Sequence, residues 1–432
     1  MRIAVIGSGI AGNAAAWALG ANHDVVLFER EPRPGGHSHT VDVDYDGTPV
    51  SVDTGFIVYN ERNYPNFTAL LAHLGVASHV SDMSFALSLG DGAFEWSGQS
   101  LDTVFAQRSN LVSPGFLWML KEVWRFNTEA PAARQSGDLD GLTLGAWLDR
   151  RRFSRRFVDH YIVPMGAAIW STPFDRLLDF PAASFVSFFE NHRLVNLRQI
   201  VWRTVTGGSR SYVDALLAAF RGTLRLAAPV AAVRRTSDGV EVIDRGGAAE
   251  AFDQVVFATH APDTLALLAD ASEAERAILS ALPYRPNRVF LHRDANLMPR
   301  RRKVWSAWNV TGAIPSPDDG AREVAVTYWM NRLQGIDPNR PLFVSLNPVR
   351  DPDPNLVFRT FEYDHPQYDA RAIDAQARLS TIQGKNRAWF AGAWTGYGFH
   401  EDGLVSGLTV AEALGGVIPW RTVPRNVFPA AA

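Results

Sequence analysis

None of the 432 residues is cysteine. That excludes disulfides, thiolate catalysis, zinc–sulfur and iron–sulfur centres, and a cysteinyl bond to a cofactor. An excess of one charge is missing too: the formal net charge is -3, so nothing global favours nucleic acid. No uninterrupted apolar run approaches the roughly 20 residues that span a bilayer. His37 and His39 stand two apart with no partner set, so no metal site is expected, and no G-x-S-x-G elbow occurs. Arg2-Ile3-Ala4-Val5-Ile6 reads as a strand, not a secretory leader, which predicts a cytoplasmic location. What is plentiful is apolar and aromatic residues, 47% and 11% of the chain, enough for a large core and two domains. That aromatic surplus suits a bulky core or a wide apolar ligand tunnel.

The first local pattern is a strand, a glycine turn and a helix. Ile3 to Ile6 suits a strand buried on both faces. Gly7, Gly9 and Gly12, with Ile10 and Ala11 between them, form G-x-G-x-x-G, and Ala14 to Leu19 reads as helix. One glycine makes the tight turn, one lets a pyrophosphate approach the backbone, and one lets helix and strand pack closely. The helix start offers N–H groups and a positive dipole end to phosphate. A second strand over 23–28 ends at Glu29, whose carboxylate suits ribose hydroxyls and disfavours a phosphorylated ribose. The pattern predicts dinucleotide binding in a Rossmann-type α/β fold.

The next stretch, EREPRPGGHSHT, carries Glu29, Arg33, Gly35 and Gly36 as E-x-x-x-R-x-G-G. In this the chain resembles the FAD-dependent amine oxidoreductase family, which includes monoamine oxidases, protoporphyrinogen oxidases and phytoene desaturases. The resemblance implies FAD, with Arg33 offsetting pyrophosphate charge and Gly35-Gly36 running close beneath the cofactor. His37 stands where the family usually has arginine, so that cationic contact becomes weaker or pH-dependent. Further family landmarks are the Asp53-Thr54-Gly55-Phe56 turn towards the flavin ring, Gly207-Gly208-Ser209, Pro229-Val230 beside the adenine, and the crossover at Ala258-Thr259. Gly392 opens a turn near the end, and Asp402-Gly403-Leu404 leads into a helix expected over 405–414 that faces the flavin pyrimidine edge. Ala393 stands where an acid is common.

The implied architecture is a discontinuous FAD-binding domain over 1–75, 200–265 and 385–432, with an α+β substrate domain over 76–199 and 266–384. There is one nucleotide fingerprint, so no separate NAD(P)H site is expected, and oxygen, a quinone or a protein would reoxidise the flavin. His400 and Glu401 are expected just before the last helix, one moving a proton and the other orienting it; equally, Glu401 and Asp402 suit helix capping. Tyr59, Asn60 and Arg62 either face the substrate or stitch a loop. Trp394 and Tyr397 resemble the aromatic walls that family members raise above the flavin. Along AVTYWMN, alternation places Val326, Tyr328 and Met330 on one face and Thr327, Trp329 and Asn331 on the other.

Arg300 to Lys303 are four consecutive basic residues, read as a solvated face or as a phosphate or membrane-surface contact. Phe116, Leu117, Leu120, Val123 and Trp124 follow near-helical spacing, as core or as an interfacial helix. The tail from Pro419 is a loose end or a partner contact. VDTGFIVYNERNYPN, VTYWMNRLQG, PLFVSLNP and GAWTGYGFHEDGL further resemble a bacterial subgroup associated with cyclopropane-fatty-acyl-phospholipid synthases. That resemblance implies dehydrogenation of a fatty-acyl, phospholipid-linked substrate by hydride transfer to flavin N5. It also implies a peripheral position at the inner membrane face and a lipid methyltransferase partner. An amine oxidase and a flavin-binding companion protein remain the alternatives.

Overall fold

A computed structural model describes residues 1–170, 173–191, 200–314 and 325–421. A five-stranded sheet runs in the order Ala388–Phe390, Gln254–Phe257, Arg2–Ile6, Asp24–Phe28, Thr223–Arg225, with every pair parallel. Its central strands are apolar on both faces because both are covered. Ile3, Val5, Val25 and Leu27 pack against the Ile10–Leu19 and His400–Ala413 helices. Ala4, Ile6, Val26 and Phe28 pack against the antiparallel Val230–Arg235, Val240–Asp244, Ala249–Phe252 sheet and neighbouring helices.

Both helices that flank the cofactor motifs start earlier than their sequence suggests. The first begins at Ile10, with Gly9 as its N-cap and no side chain capping it. The last begins at His400, five residues before the expected Val405, so His400, Glu401 and Asp402 form its first turn. Asp402 starts it by accepting hydrogen bonds from the Tyr397 and Phe399 N–H groups at 3.1 and 2.9 Å. Gly403 and Gly407 sit inside this helix despite their poor propensity, for a tertiary reason. A Cβ on Gly407 would lie 2.2 Å from the Ala11 carbonyl oxygen, and one on Gly403 would lie 2.7 Å from Ile10 Cγ2.

The second sheet has seven strands, in the order Val357–Pro366, Tyr284–His292, Phe343–Leu346, Ala325–Trp329, Trp308–Gly312, Phe85–Leu89, Phe94–Ser97. Its pairings are antiparallel except that of Phe85–Leu89 with Trp308–Gly312. A helical layer comprising Pro114–Ser136, Leu144–Arg150, Val163–Trp170 and Ala182–Asn191 packs through Phe116, Met119, Phe126, Trp147, Phe185 and Phe189. The stripe expected on the long helix is therefore split. Phe116 is buried and Leu120 and Val123 are partly so, whereas Leu117 and Trp124 are exposed and Met119 and Phe126 take the core positions. Residues 422–432, most of the tail from Pro419, lie outside the described residues.

Close backbone approach makes Gly407 the sensitive point of this scaffold. Gly407→Ala is expected to prise the two helices apart and to cost about 1–3 kcal/mol, as other overpacked sites do. A thermal or urea melt checks this; an unchanged midpoint would show that the contact is not tight.

Candidate cofactor and active site

A cavity of about 950 Å³ opens beyond the C-terminal ends of the Arg2–Ile6 and Asp24–Phe28 strands and reaches across to the seven-stranded sheet. Gly7, Gly9, Ile10 and Ala11 line it at the glycine turn. Gly7 has φ +99°, and a Cβ on Gly12 would fall 1.8 Å from the Gly7 carbonyl oxygen, so each must be glycine to form this corner. Gly9 is different. Beyond its chain neighbours, a Cβ there would meet no atom of the described residues within 4 Å, so the open space in front of it is left for something else.

Glu29 lines the same end. Its Oε2 accepts from the Ser8 N–H and hydroxyl at 2.9 and 2.5 Å, and its Oε1 accepts from the Glu31 N–H at 2.9 Å. A carboxylate offers about four acceptor sites, so Glu29 is held rigidly yet keeps capacity for a ribose hydroxyl. Arg33, Gly35, Gly36, Gly55, Phe56, Val230, Ala258 and Gly392 also line the cavity. Three lining polar atoms, His37 Nε2, Trp308 Nε1 and Tyr368 Oη, are buried without a hydrogen-bond partner among the described residues. Such orphans fit a cavity built for a polar ligand. The residues present thus suit FAD: Gly9 and the uncapped helix start for pyrophosphate, Arg33 for its charge, and Glu29 for ribose.

His37 does not supply a cation. Burial, then the neighbouring His365, His260, His400 and Arg33, push its pKa well below the usual histidine value, so it is a neutral group. It lies against Tyr363 and His365, with ring centroids 5.1 and 5.4 Å away. The Val357–Pro366 strand that carries both is a part of the site that motif reading missed. Its consecutive residues from Phe361 to Pro366 all line the cavity, which no alternation in FEYDH signalled. The Tyr363 hydroxyl joins His39 Nδ1 and Thr54 Oγ1, each at 2.7 Å.

His400 lines the inner part of the cavity, stacked on Phe56 with ring centroids 3.8 Å apart. Its Nε2 is 2.8 Å from the Tyr212 hydroxyl, which in turn lies 2.5 Å from Ser38 Oγ. Burial lowers the His400 pKa to about 3, so its charge does not change near neutral pH as the sequence suggested. Glu401 is not its partner. Fully buried, it accepts from Asn66 N–H and Nδ2 at 2.9 and 2.8 Å and from Phe67 N–H at 2.9 Å, capping the Pro65–Leu74 helix. Asp402 is likewise spent on its own helix start, and Gly403 serves the helix crossing; Leu404 packs in the core beneath.

Tyr59 is a core residue, its hydroxyl donating to Ser78 Oγ at 2.8 Å and its ring against Tyr64 and Phe67. Asn60 is buried, with its Oδ1 accepting from Asn63 N–H at 2.8 Å, and Arg62 is exposed. Trp394 and Tyr397 do line the cavity; Trp394 Nε1 donates to the Thr259 carbonyl at 3.1 Å. Tyr328 also faces it, against Trp308, while Trp329 packs on Trp305 and the Asn331 side chain ties together backbone at 337, 340 and 342. Three of the four basic residues from Arg300 to Lys303 are paired with acids. Arg300 pairs with Asp91, Arg301 with Glu95 at 2.8 Å and Lys303 with Asp102, and Arg302 lies 3.7 Å from the Trp305 ring centroid. Among the described residues no group of three or more His, Asp or Glu is placed to hold a metal.

A parallel sheet with a glycine corner and an acid after its second strand, its cavity also lined by a second sheet, defines a Rossmann-type dinucleotide-binding protein. Residues 10–299 match the family model described as flavin containing amine oxidoreductase, and the chain belongs to that family. It is a flavin-dependent oxidoreductase with FAD as its cofactor. No curated protein matches it by sequence. Among solved structures it is similar to putrescine oxidase bound to putrescine, at 15% identity and TM-score 0.66, covering 96% of this chain and 99% of that one. It is similar to a CLA-producing fatty acid isomerase from P. acnes, at 15% identity and TM-score 0.65, covering 96% and 98%. Cyclohexylamine oxidase from Brevibacterium oxydans gives 16% identity and TM-score 0.64, covering 96% and 99%. At these identities the likeness concerns the fold.

Two outcomes follow from this geometry. Gly9→Ala, entering open space, is expected to melt like the parent while binding FAD at least about tenfold more weakly, because its methyl takes the room a phosphate needs; equilibrium dialysis measures it, and unchanged affinity would remove Gly9 from the site. The second concerns acid. Burial is the main cause that lowers His39, His292 and His365 to about 4 and His400 to about 3. Below about pH 6.5 the unfolded chain takes up protons at these groups that the folded chain refuses. Stability is thus full above that pH and falls progressively towards pH 4, and urea melts of the cofactor-free protein at pH 7, 6 and 5 should show it. A flat series would contradict the neutral cluster.

Proposed function

We propose that the enzyme dehydrogenates an apolar, fatty-acyl substrate linked to phospholipid. The observation that carries this reading is the composition of one arm of the cavity, the part lined from the seven-stranded sheet and the helical layer. Met83, Phe85, Met165, Ile169, Trp308 and Tyr328 line it, with Ala168 and Phe188. The acids lining the cavity stand elsewhere along it: Glu29 and Glu31 at the glycine-turn end, Asp263 beside His260, and Glu362 and Asp364 on the 357–366 strand. An amine substrate carries an ammonium group that is costly to desolvate without a partner, whereas methylene groups gain about 0.8 kcal/mol each on burial. Such an arm favours a chain of methylenes.

When bound, FAD supplies the two-electron acceptor. The chain's own residues give the arm its apolar lining and hold His400 on the cavity wall against Phe56 and Tyr212. Dehydrogenation releases a hydride equivalent and a proton from neighbouring carbons. We assign the first acceptance of the proton to His400, a lining imidazole fixed by Phe56 and Tyr212; burial opposes its protonation, so the proton passes on to solvent and is not held there. Association with a lipid methyltransferase, and a place in the metabolism of modified acyl chains, belong to the same proposal.

The test is anaerobic mixing of the FAD-loaded protein with acyl phospholipids and, separately, with primary and secondary amines, following flavin absorbance. Bleaching by phospholipid and not by amines is expected, with a rate that shows no ionisation of His400 between pH 5 and 8. Bleaching by amines alone would establish the amine-oxidase reading; absence of bleaching by either, with a methyltransferase co-purifying, would favour a companion role. Ile169→Glu is expected to retain FAD but lose about tenfold or more in the phospholipid rate, because it buries an unpaired carboxylate in the arm.

A further inference from the structure

The exposed apolar residues of the helical layer do not scatter. Val112 is 81% exposed, and Trp118 and Trp124 are 51% and 68% exposed, with Leu111 and Leu117 beside them. On the Pro114–Ser136 helix, Leu117, Trp118, Lys121 and Trp124 share one outward side by the 3.6-residue repeat. The Lys121 ammonium lies 4.5 Å from the Trp118 ring centroid. Large aromatic side chains so placed, away from any core, mark an interaction surface.

Its rim is basic. Arg150, Arg151, Arg152, Arg155 and Arg156 are all exposed, five arginines within seven residues of a chain whose formal net charge is -3. This segment lies along the same helix. The Ser154 N–H donates to Glu122 Oε1 at 2.8 Å, Arg125 donates to the Arg151 carbonyl, and a Cβ on Gly115 would sit 3.2 Å from the Arg156 guanidinium. Among the described residues, the acids beside it are mostly engaged. Glu129 pairs with Arg125 and Arg151, Asp159 with Arg155 at 3.5 Å, and Glu122 is buried against Ser154; Asp149 is exposed. In the Arg300 to Lys303 run, by comparison, three of the four charges are ion-paired and Arg302 lies on the Trp305 ring.

The patch is also joined to the cavity. Chain that leaves the arginines as the Arg155–Phe157 turn continues into the Val163–Trp170 helix, whose Met165, Ala168 and Ile169 form the apolar arm. The Ala182–Asn191 helix, which carries Phe188 into the arm, packs on the long helix through Phe126 and Phe189, with centroids 6.2 Å apart. One layer of helices separates the arm from the patch.

We propose that this face docks on an anionic lipid bilayer: the tryptophans enter the headgroup region and the arginines attract acidic headgroups. Tryptophan favours that interface, and each basic residue near an anionic leaflet adds attraction that salt screens. No helix among the described residues is long and apolar enough to cross a membrane, so the contact is peripheral. The inference deepens the acyl-substrate reading by giving the source from which the chain is drawn.

Flotation of the FAD-loaded protein with vesicles of phosphatidylcholine, with and without 30% phosphatidylglycerol, tests it without turnover. Binding to the anionic vesicles, weak binding to the neutral ones and release by 0.5 M NaCl are expected. Trp118→Ser with Trp124→Ser, and separately Arg150→Gln, Arg152→Gln and Arg156→Gln together, should each weaken binding about tenfold or more, with flavin content and melting midpoint unchanged. Equal binding to both vesicle types, parent-like binding by both variants, or no flotation with concentration-dependent dimerisation abolished by the tryptophan variant would each overturn the proposal. Vesicle binding without flavin reduction by phospholipid would leave this surface standing and remove the acyl reading; reduction by detergent-dispersed phospholipid without vesicle binding would do the reverse.

Discussion

The structure depends on one close approach of backbone to backbone, where the helix that follows the glycine turn crosses the helix that begins at His400. Gly12 lets the first helix sit against its own strand, and Gly407 lets the last helix press on Ala11. Two helix starts, separated by almost the whole chain, thereby face one cavity, with Gly9, Ile10 and Ala11 on one side and Phe399 and His400 on the other. Each brings partial positive charge and, for the first, unsatisfied N–H groups. That is a setting for an anionic cofactor.

The polar groups around this cavity are conspicuous for their neutrality. Burial depresses the histidines and raises Tyr363 and Tyr212, so neighbouring groups exchange hydrogen bonds without holding charge. The charged side chains are at the glycine-turn end, along the 357–366 strand, and at Arg245 and Asp263. A cavity graded in this way suits a molecule that is polar at one end and brings a flat ring up to an apolar arm. The buried carboxylates follow the same economy: Glu401 and Asp402 are satisfied by N–H groups at helix starts, where they organise loops and leave the chemistry to other groups.

Several particular residues show where sequence reasoning reached and where it stopped. The glycine corner and Glu29 were legible because their requirement is local: φ near +99° at Gly7, and no room for a Cβ at Gly12. The last helix was placed five residues late; Gly403 argues against helix in isolation, and only the neighbouring Ile10 explains it. Glu401 beside His400 looked like a catalytic pair, yet along a helix adjacent residues point apart, and Glu401 reaches the Pro65–Leu74 helix instead. Trp124 looked like core by spacing, but the face that Met119 and Phe126 share won the burial.

The amino-acid order alone determined the nucleotide corner, the alternation of strands, the absence of thiol chemistry and the family. Those features rest on backbone sterics and short-range periodicity, which a linear reading captures. Only the folded chain decided which charges cancel, which histidines lose their protons, and which aromatic rings face the cavity, the core or the solvent. These depend on neighbours distant in the chain, because desolvation and ion pairing act through space and not along the sequence.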